Sequence, residues 1–520
     1  MDFLQRLLDH YQMSESDYHA WTRPLTVLDL PSPSVFDELD KAVSRIKKAI
    51  DGNEKIVIYG DYDCDGVMST SIMVKTFALL GVNVGYYLPS RYLDGYGLNV
   101  TKTKEMAEKG YSLILTVDNG ISAFEAISLA NELKVDVIVT DHHEAGATLP
   151  SAYAILHPVV KSQSPSYSCG AYVAFMLSIA LLGRVDDYLL SLAGIATISD
   201  MMPLAGVNRD VVRLAIETIN RNKYPQLSVL AESVDIDEKT IGMAIAPKIN
   251  AVGRMVENST INRLVKFFIS QDMSEINELA GWLSAINLER RSLMKEASQN
   301  HADVTSEESA IVLLTSEKEG LIGLLANRLL NMHHKPIVVF TQSVDNPELL
   351  KGSARSEEGF NIAKAFQSLE RFMQTSGGHG LAGGLSIRKQ DFAEFKAAFL
   401  ELAKEYPIEK KQPKTLEISL ADVTWEHYAL IRSLSPFGQD FPAPKFLIKG
   451  LKTATFSYLS MDHHISTNIG MDTRLLGFNF PKKDVSEYKY VDLVGEFETN
   501  TFKGRKYLNF RIGTLTRSER

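Results

Sequence analysis

The sequence predicts an α/β protein of several domains, and three observations support this class. At 520 residues, the chain is long enough for about three domains of ordinary size. From about residue 55, β-branched runs such as EKIVIYG, SLILTVDNG and VDVIVTDHHE alternate with helical stretches, which predicts a mostly parallel sheet covered by helices. Near the C-terminus, short strand patterns such as KFLIKG and YVDLVGEF predict a small antiparallel barrel or sandwich.

We expect four regions along the chain. Residues 1–215 carry the parallel-sheet pattern, and residues 216–305 form a helical connector. The connector ends in a long helix, because EINELAGWLSAINLERRSLMKEASQNH places apolar residues three or four positions apart. Residues 306–408 form a second α/β unit that contains the glycine-rich SGGHGLAGG. The charged, proline-bearing EKKQPKTLE is the best linker candidate, and the strand-rich region spans residues 409–520.

Composition narrows the class of protein. Apolar residues make up 45% and charged residues 23%, as in soluble globular proteins. No apolar stretch approaches the roughly 18 residues of a membrane span, so we expect a cytoplasmic protein without membrane contact. The two cysteines, Cys64 and Cys169, form no CxxC zinc motif. The net charge of −9, taken alone, favours a small-molecule enzyme over a nucleic-acid-binding protein.

Acidic and histidine side chains follow the predicted strands. They are Asp61, Asp63 and Asp65 after IVIYG, Asp118 after LILTV, Asp141, His142 and His143 after VIVT, and Asp200 after a further apolar helix. Ligands of parallel sheets bind beyond the carboxyl ends of the strands, so these side chains are expected to converge. The DxDxDG segment alone also fits a solvated acidic turn or a calcium loop. An EF-hand is disfavoured because the glutamate at loop position 12 is missing.

The mixture of carboxylates and imidazoles indicates a metal centre. Oxygen ligands combined with imidazole suit manganese, magnesium or zinc. A site with many carboxylates and few histidines can hold two divalent cations about 3.5–4 Å apart, as in enzymes that act on phosphoryl groups. The leading chemistry is therefore hydrolysis of a phosphoester or a phosphoanhydride.

GDYDCDG, VDNGIS, TDHHE and ISDMMPL resemble, in order, the four motifs of the DHH phosphoesterase superfamily. Longer segments, from IVIYGDYDCDGVMSTS to SPFGQDFPAPKF, resemble its RecJ family of 5′→3′ exonucleases. This resemblance implies a DHH domain, a long connecting helix, a DHH-associated domain and a C-terminal OB-like barrel. It also implies hydrolysis of single-stranded DNA to mononucleotides in DNA repair and recombination. Two divalent cations are implied, with Mn²⁺ as the first choice and Mg²⁺ as the second.

The resemblance implies roles for the metal ligands. Asp61 and Asp63 are similar in position to ligands of separate cations, and Asp118 to a bridging carboxylate. His142 and Asp200 match ligands of the second cation.

Further site residues are implied in the same way. His143 is expected to face the scissile phosphate, and Asp65 or a water molecule to complete the first cation site. Arginine and serine side chains, with a glycine-rich loop, would bind the phosphates of the substrate. This expected substrate-binding set is Arg91, Arg254, Ser353, Arg355, Gly377, Gly378 and His379.

Residues 501–520 are basic and contain three aromatic residues. Against the single acid Glu519 stand Lys503, Arg505, Lys506, Arg511, Arg517 and Arg520. Phe502, Tyr507 and Phe510 lie between them, which is typical of single-strand binding by stacking. The pattern alone also fits a terminal strand pair whose aromatic residues are core. With the resemblance, single-stranded DNA becomes the expected partner.

Other partners and functions follow from the same resemblance. A single-strand-binding protein and a RecQ-type helicase are the further partners implied. The alternative activities are those of a nano-RNase or a cyclic-dinucleotide phosphodiesterase of the same superfamily. A non-catalytic replication scaffold is disfavoured, because the acids and histidines of all four motifs are present.

Overall fold

The computed structural model describes residues 2–164, 167–257, 259–301, 308–378, 380–405, 414–460, 463–502 and 504–518. The chain divides into two compact units. One unit contains Val27–Met202 and Gly206–Lys410, and the other contains Met1–Thr26, Pro203–Ala205 and Lys411–Arg520. Within the described residues, no helix is both long enough and apolar enough to cross a bilayer.

The first two helices belong to the same unit as the C-terminal region. They are α1 (Phe3–Tyr11) and α2 (Glu15–Thr22). A capping box starts α2, since Ser14 Oγ accepts the Asp17 N–H while the Asp17 carboxylate accepts the Ser14 N–H. The ring of Phe3 stacks on His427 with 3.9 Å between ring centroids, so α1 completes the core of this unit.

A five-stranded parallel sheet forms the first layer of the larger unit. Its strands are β1 (Ile56–Tyr59), β2 (Gly85–Tyr87), β3 (Leu113–Val117), β4 (Asp136–Thr140) and β5 (Ala154–Leu156). The order is β2-β1-β3-β4-β5, and every pairing is parallel. Because all strands run the same way, the ends of β1, β3 and β4 lie on one edge of the sheet.

Helices cover both faces of this sheet. They are α3 (Leu39–Asp51), α4 (Cys64–Leu79), α5 (Val100–Glu108), α6 (Phe124–Glu132), α7 (Gly170–Leu182) and α8 (Asp187–Ser199). Alternate residues of the strands face α5 and α6, where Val57 and Ile114 share a core with Met106 and Ile127. α4 and α7 are almost entirely buried. The parallel α/β sheet predicted from the sequence is confirmed.

Helices connect the two sheets of this unit. They are α9 (Gly206–Asn222), α10 (Pro225–Ala231), α11 (Glu238–Thr240), α12 (Ala246–Met255), α13 (Arg263–Ile269) and α14 (Met273–Asn300). The 28-residue α14 is the predicted long helix. Asp272 caps its start by accepting the Ser274 N–H, and Met294 and Ala297 near its end join the core beside the second sheet.

The second sheet has five strands in the order β6-β7-β8-β10-β9. Its elements are β6 (Ile311–Thr315), α15 (Glu319–His333), β7 (Ile337–Gln342), β8 (Leu349–Arg355), α16 (Ile362–Ser368), β9 (Met373–Gly378), β10 (Ala382–Arg388) and α17 (Phe392–Lys404). β6 and β7 pair in parallel, and the other pairings are antiparallel. β9 is an edge strand and mostly exposed.

The C-terminal unit contains a seven-stranded sheet. Its elements are β11 (Thr415–Glu417), α18 (Trp425–Ser433), β12 (Lys445–Lys452), β13 (Ser457–Leu459), β14 (His464–Asn468), β15 (Thr473–Phe478), α19 (Lys482–Val485), β16 (Tyr490–Phe502) and β17 (Arg505–Arg517). The order is β11-β12-β16-β17-β15-β14-β13. The expectation of a purely antiparallel sheet is wrong for two pairings, β11 with β12 and β15 with β17. Between β15 and β17 the chain passes through α19 and β16. Because β16 runs antiparallel to β17, the chain returns in the direction of β15, and β17 pairs with β15 in parallel.

Candidate metal centre

The turn between β1 and α4 presents the first acids. Asp63 caps α4, since its carboxylate accepts the Gly66 N–H at 3.1 Å. Gly66 packs closely on the turn, and a Cβ at this position would lie 2.5 Å from the Asp61 carbonyl oxygen. This packing buries Asp61 to 3% exposure. Its Oδ1 accepts no hydrogen bond from any residue that the structure describes.

Asp118 follows β3 in a left-handed backbone conformation, with φ of +62°. The next residue, Asn119, fixes this turn. Its Nδ2 donates to the carbonyl oxygens of Tyr59, Gly60 and Val117 at 3.0–3.1 Å. One buried amide thus ties the end of β1 to the end of β3 and holds Asp118 beside the first turn.

Asp141, His142 and His143 follow β4. The carboxylate of Asp141 accepts the backbone N–H groups of both histidines, and its Oδ1 lies 2.8 Å from His143 Nδ1. Its other oxygen accepts the Ile121 N–H at 2.8 Å. Asp141 therefore orients the histidine pair. The pKa of Asp141 is lowered because the bonds to His143 outweigh the cost of burial.

Asp65 and Asp200 close the other side of the cluster. Both oxygens of Asp65 accept backbone N–H groups, from Gly170 and from Ala171, each at 2.7 Å. The carboxylate is drawn to the start of α7, where unpaired N–H groups favour an anion. Asp200 ends α8. This position sets Asp65 beside His142 and Asp200, whereas the resemblance implied that either Asp65 or a water molecule completes the first cation site.

The structure brings the six expected metal ligands and His143 together. His142 Nε2 lies 3.1 Å from Asp118 Oδ1, 3.5 Å from Asp65 Oδ2 and 3.6 Å from Asp200 Oδ2. In three groups, the possible ligand atoms all lie within 4.8 Å of one another. These groups are Asp61, Asp63 and Asp118; Asp118, His142 and His143; and Asp65, His142 and Asp200. Shared members join the groups into one cluster.

The carboxylates of this cluster repel one another. Burial and the charge of Asp63 raise the pKa of Asp61 well above its usual range. Burial and Asp65 do the same to the pKa of Asp118, and they raise the pKa of Asp200 to about 9. Burial and Asp63 raise the pKa of Asp65 to about 6. Several buried carboxylates in one cluster need positive charge to ionise together.

The two histidines titrate in opposite directions. Burial and the charge of His143 lower the pKa of His142 to about 3, so this imidazole is neutral, as a metal ligand must be. Burial opposes ionisation of His143 too, but the hydrogen bond to Asp141 raises its pKa to about 9. His143 is therefore a cation at neutral pH.

Buried polar atoms without hydrogen-bond partners indicate which kind of ligand fits the cluster. Among the described residues, four of its buried nitrogen and oxygen atoms have no hydrogen-bond partner: Asp61 Oδ1, Asp118 Oδ1, Asp200 Oδ2 and His142 Nδ1. Unpaired buried polar atoms are costly, and carboxylate oxygens that face one another can ionise together only with a cation near them; otherwise they hold protons. The oxygen-rich donor set with imidazole fits Mn²⁺ or Mg²⁺.

Half-buried arginines lie beside the acids. Burial and the charge of Arg91 lower the pKa of Arg254 to about 10, and Asp63 acts on the same guanidinium from the cluster. Arg91 lies over the Tyr62 ring, 4.3 Å from its centroid. Arg290, at the middle of α14, also repels Arg254. Mutual repulsion of this kind favours an anionic ligand such as a phosphate.

Arg355 and Ser353 lie together on β8. Arg355 Nη1 donates to Ser353 Oγ at 3.1 Å and to the Ala354 carbonyl oxygen at 2.7 Å. Arg355 is a further cation that acts on Arg254, which brings four of the expected substrate residues into one neighbourhood. Burial lowers its pKa. The close approach of α15 depends on Gly320, where a Cβ would lie 2.2 Å from the Arg254 carbonyl oxygen.

The glycine-rich segment is only partly described. Gly377 and Gly378 lie at the exposed end of β9, paired with Gly384 and Gly383 of β10. His379 lies outside the described residues.

The C-terminal basic pattern divides between core and surface. Phe510 is fully buried and is a core residue, so its expected role in stacking is wrong. Tyr507 lies between Arg474 and Arg505, whose guanidinium carbons are 5.6 and 5.7 Å from its ring centroid. Lys503, Glu519, Arg520 and the side chain of Phe502 lie outside the described residues.

Sequence reasoning missed several residues of the site. No charge pattern or spacing singles out Tyr96, Tyr167, Asn250 or Arg290, and Asn119 is recognisable from the sequence only as a turn residue. Asn250 accepts the Cys64 N–H at 2.8 Å and so supports the first acidic turn from α12. The Tyr96 hydroxyl lies 3.0 Å from His143 Nδ1. A useful signal for Asn119 was its place between an acid and a glycine in VDNG.

Three family models match the chain. The DHH family, N-terminal domain, covers residues 55–197; the DHHA1 domain covers 308–405; and the RecJ OB domain covers 415–514. The matched ranges confirm the predicted α/β class, with a DHH domain, a DHH-associated domain and a C-terminal OB domain.

Curated relatives match over most of the chain. The single-stranded-DNA-specific exonuclease RecJ of Salmonella typhimurium is 32% identical, over 92% of this chain and 90% of its own length. The protein of the same name in Bacillus subtilis is 33% identical, over 94% of this chain. The chain spans 65% of the length of that second relative.

Solved structures share the fold. The crystal structure of RecJ from Thermus thermophilus in complex with Mn²⁺ has a TM-score of 0.85 at 27% identity and covers 100% of this chain and 76% of that one. The Mg²⁺ complex of the same protein has a TM-score of 0.78 at 25% identity, with coverage of 100% and 75%.

Proposed function

Because the chain belongs to the RecJ family of single-stranded-DNA-specific exonucleases, we propose that it hydrolyses single-stranded DNA with the help of divalent cations. We further propose that it works from the 5′ end and releases mononucleotides. The observation that carries the proposal is the cluster of carboxylates and imidazoles, with unpaired buried ligand atoms, beside half-buried arginines.

Two cation positions follow from the grouping of the ligands. Asp61, Asp63 and Asp118 would hold one cation, and Asp65, His142 and Asp200 the other. This grouping puts Asp61 and Asp63 on the same cation, whereas the resemblance implied separate cations for them. Asp118 Oδ1 lies 3.1 Å from His142 Nε2, so it is near both groups. Divalent cations at such positions lower the pKa of water and stabilise the negative charge that builds up on phosphorus oxygens, and Mn²⁺ or Mg²⁺ suits this donor set.

His143 supplies a positive charge at the edge of the cluster. Asp141 holds its Nδ1 and keeps the imidazole protonated. The ring is 42% exposed, so it can reach a substrate phosphate. A donor that is already oriented stabilises the pentacoordinate transition state without reorganisation. His143 therefore acts on the oxygens of the scissile phosphate.

The arginines bind the strand by its phosphates. Arg91, Arg254 and Arg355 carry their charge in partly dry surroundings, where a guanidinium pairs strongly with phosphate oxygens. Ser353 adds a hydroxyl next to Arg355. Gly377 and Gly378 are exposed at the end of the edge strand β9, and their lack of side chains lets a phosphate approach the backbone there.

The C-terminal unit extends the proposal to longer strands. There, the exposed Arg505 and the half-buried Arg474 and Tyr507 combine charge with a ring for stacking. We place the activity in the cytoplasm, in DNA repair and recombination, with a single-strand-binding protein and a RecQ-type helicase as partners. Co-purification of either protein with this chain tests that part.

A digestion assay tests the proposed function. Purified protein is incubated with 5′-labelled and 3′-labelled single strands, DNA and RNA, with Mn²⁺, Mg²⁺ or neither. We expect early release of the 5′ label as a mononucleotide, only with metal. Early release of the 3′ label contradicts the polarity, and activity confined to dinucleotides favours a nano-RNase or cyclic-dinucleotide phosphodiesterase.

A variant pair links the activity to the site. Asp118→Ala should abolish hydrolysis and keep the fold, because it removes a buried carboxylate shared by two ligand groups. Asp51→Ala changes an exposed acid at the end of α3 and should leave the rate unchanged. Full activity of Asp118→Ala in Mn²⁺ contradicts the site assignment.

A further inference from the structure

Tyr167 is an exposed aromatic residue at the edge of the metal centre. Its side chain is 42% exposed, and its ring centroid lies 5.6 Å from that of His142, with 41° between the ring planes. His142 is itself buried among Asp118, Asp65 and Asp200. The Tyr167 ring therefore lies one side chain away from the proposed cation positions and is open to solvent.

The backbone around Tyr167 is fixed on its C-terminal side. The buried Asn208 donates from Nδ2 to the Tyr167 carbonyl oxygen at 2.8 Å. Three residues later, the N–H of Gly170 is bound by Asp65 at 2.7 Å. Ser168 and Cys169 between them are fully buried. The ring is thus presented from an anchored segment, and ordering it on a ligand would cost little entropy.

The hydroxyl group of Tyr167 stands outside the hydrogen-bond network of the metal centre. The hydroxyl forms no hydrogen bond with any residue that the structure describes. What Tyr167 offers to a ligand is therefore the ring surface.

We infer that the Tyr167 ring stacks on a nucleobase next to the scissile phosphate and so positions the strand at the metal centre. The inference rests on the proposed function, because it takes a single strand as the ligand. Every base has a π-face, so such a contact holds any sequence equally well.

The test is a double-mutant cycle that combines a substitution at Tyr167 with the removal of one base from the substrate. Wild type, Tyr167→Ala and Tyr167→Phe are assayed on thymidine oligonucleotides that carry an abasic site at the first or the second nucleotide, or none. On the intact strand, Tyr167→Ala should lower kcat/KM by about 5- to 150-fold, whereas Tyr167→Phe stays within about 2-fold of wild type. At one of the two positions, the missing base and Tyr167→Ala should together lower kcat/KM no more than the larger of the two single changes does.

Two controls separate this role from a structural one. Phe124, on α6, is also 42% exposed, and Phe124→Ala should leave kcat/KM unchanged. The rise in melting temperature on adding Mn²⁺ should be the same in Tyr167→Ala as in wild type.

Each other result overturns the inference. Unchanged kcat/KM in Tyr167→Ala means that the ring does not contact the substrate. Losses that multiply at both abasic positions mean that it does not touch a base, and a weaker response to Mn²⁺ means that it acts through His142. A wild-type protein that degrades no strand contradicts the proposed function itself, which is a distinguishable outcome.

Discussion

Gly170 lies directly against Asp118. A Cβ at residue 170 would lie 2.6 Å from Asp118 Oδ1 and 2.8 Å from its Cα. The same residue donates its N–H to Asp65 at 2.7 Å. The start of α7 can therefore approach two acids of the cluster only because residue 170 has no side chain.

Gly170→Ala should disable the site without unfolding the protein. The added methyl group must displace Asp118, so we expect hydrolysis to fall at least about 100-fold and Mn²⁺ to raise the melting temperature less. Gly281→Ala, in α14, makes the same chemical change where no atom lies within 4 Å, and it should be neutral or stabilising by up to about 1 kcal/mol. Normal Mn²⁺ response in Gly170→Ala would show that the contact is dispensable.

Asn119→Asp should destabilise the fold. The substitution removes the Nδ2 donor from three buried carbonyl groups and adds a buried charge, so we expect a loss of roughly 3 kcal/mol in the free energy of unfolding. Denaturation in urea measures it. The control is Asn131→Asp, whose single bond to Ser151 is exposed and whose effect should stay within about 0.5 kcal/mol. Equal effects of the two substitutions contradict the role of Asn119.

The metal-free protein should lose stability as the pH rises from 6.5 to 9. The pKa of Asp200 is about 9 in the folded state against 3.8 ordinarily, and that of His143 is about 9 against 6.5. In this window the folded state holds protons that the unfolded chain has released, so the free energy of unfolding falls with pH.

Mn²⁺ should counteract the loss of stability at high pH. A cation replaces the proton on Asp200, so the rise in melting temperature on adding Mn²⁺ should be larger at pH 8.5 than at pH 6.5. Thermal melts with and without Mn²⁺ measure both effects, and Asp200→Asn should flatten the metal-free profile. A metal-free melting temperature that rises from pH 6.5 to 8.5 would refute the electrostatic account of the cluster.

Arg355→Gln should weaken binding of single-stranded DNA. It should also make the binding constant depend less on salt concentration. If Arg355 neutralises one phosphate, its loss should reduce the slope of log binding constant against log salt concentration by about 0.7. Fluorescence anisotropy at several salt concentrations measures the slope. Arg184→Gln, at an exposed ion pair with Asp186, should leave the slope unchanged. An unchanged slope in Arg355→Gln removes this residue from the substrate site.

The acids of the site were predictable because a parallel sheet has a simple geometry. Asp61, Asp118 and Asp141 each follow a buried strand, and parallel strands end on one edge, so the pattern alone brings them together. The basic residues were less clear, since nothing in the sequence says which arginines pack beside the acids. Arg290 joins the others only through the packing of α14.

The remaining features depend on contacts between distant segments. Asp65 binds backbone groups more than 100 positions away, which moves it to the side of His142. Phe510 lies among basic residues in the sequence, as a stacking residue would, but its side chain packs into the core of the C-terminal unit. Periodicity gives the face of a strand, and only the packed sheet decides which face is covered.

The central claim is that one cluster holds two divalent cations close together. Titration with Mn²⁺, followed by electron paramagnetic resonance, tests it most directly. We predict two Mn²⁺ ions per chain with an exchange-coupled spectrum, which is lost in Asp118→Ala. A single uncoupled ion per chain, or a coupled pair that persists in Asp118→Ala, would contradict the account.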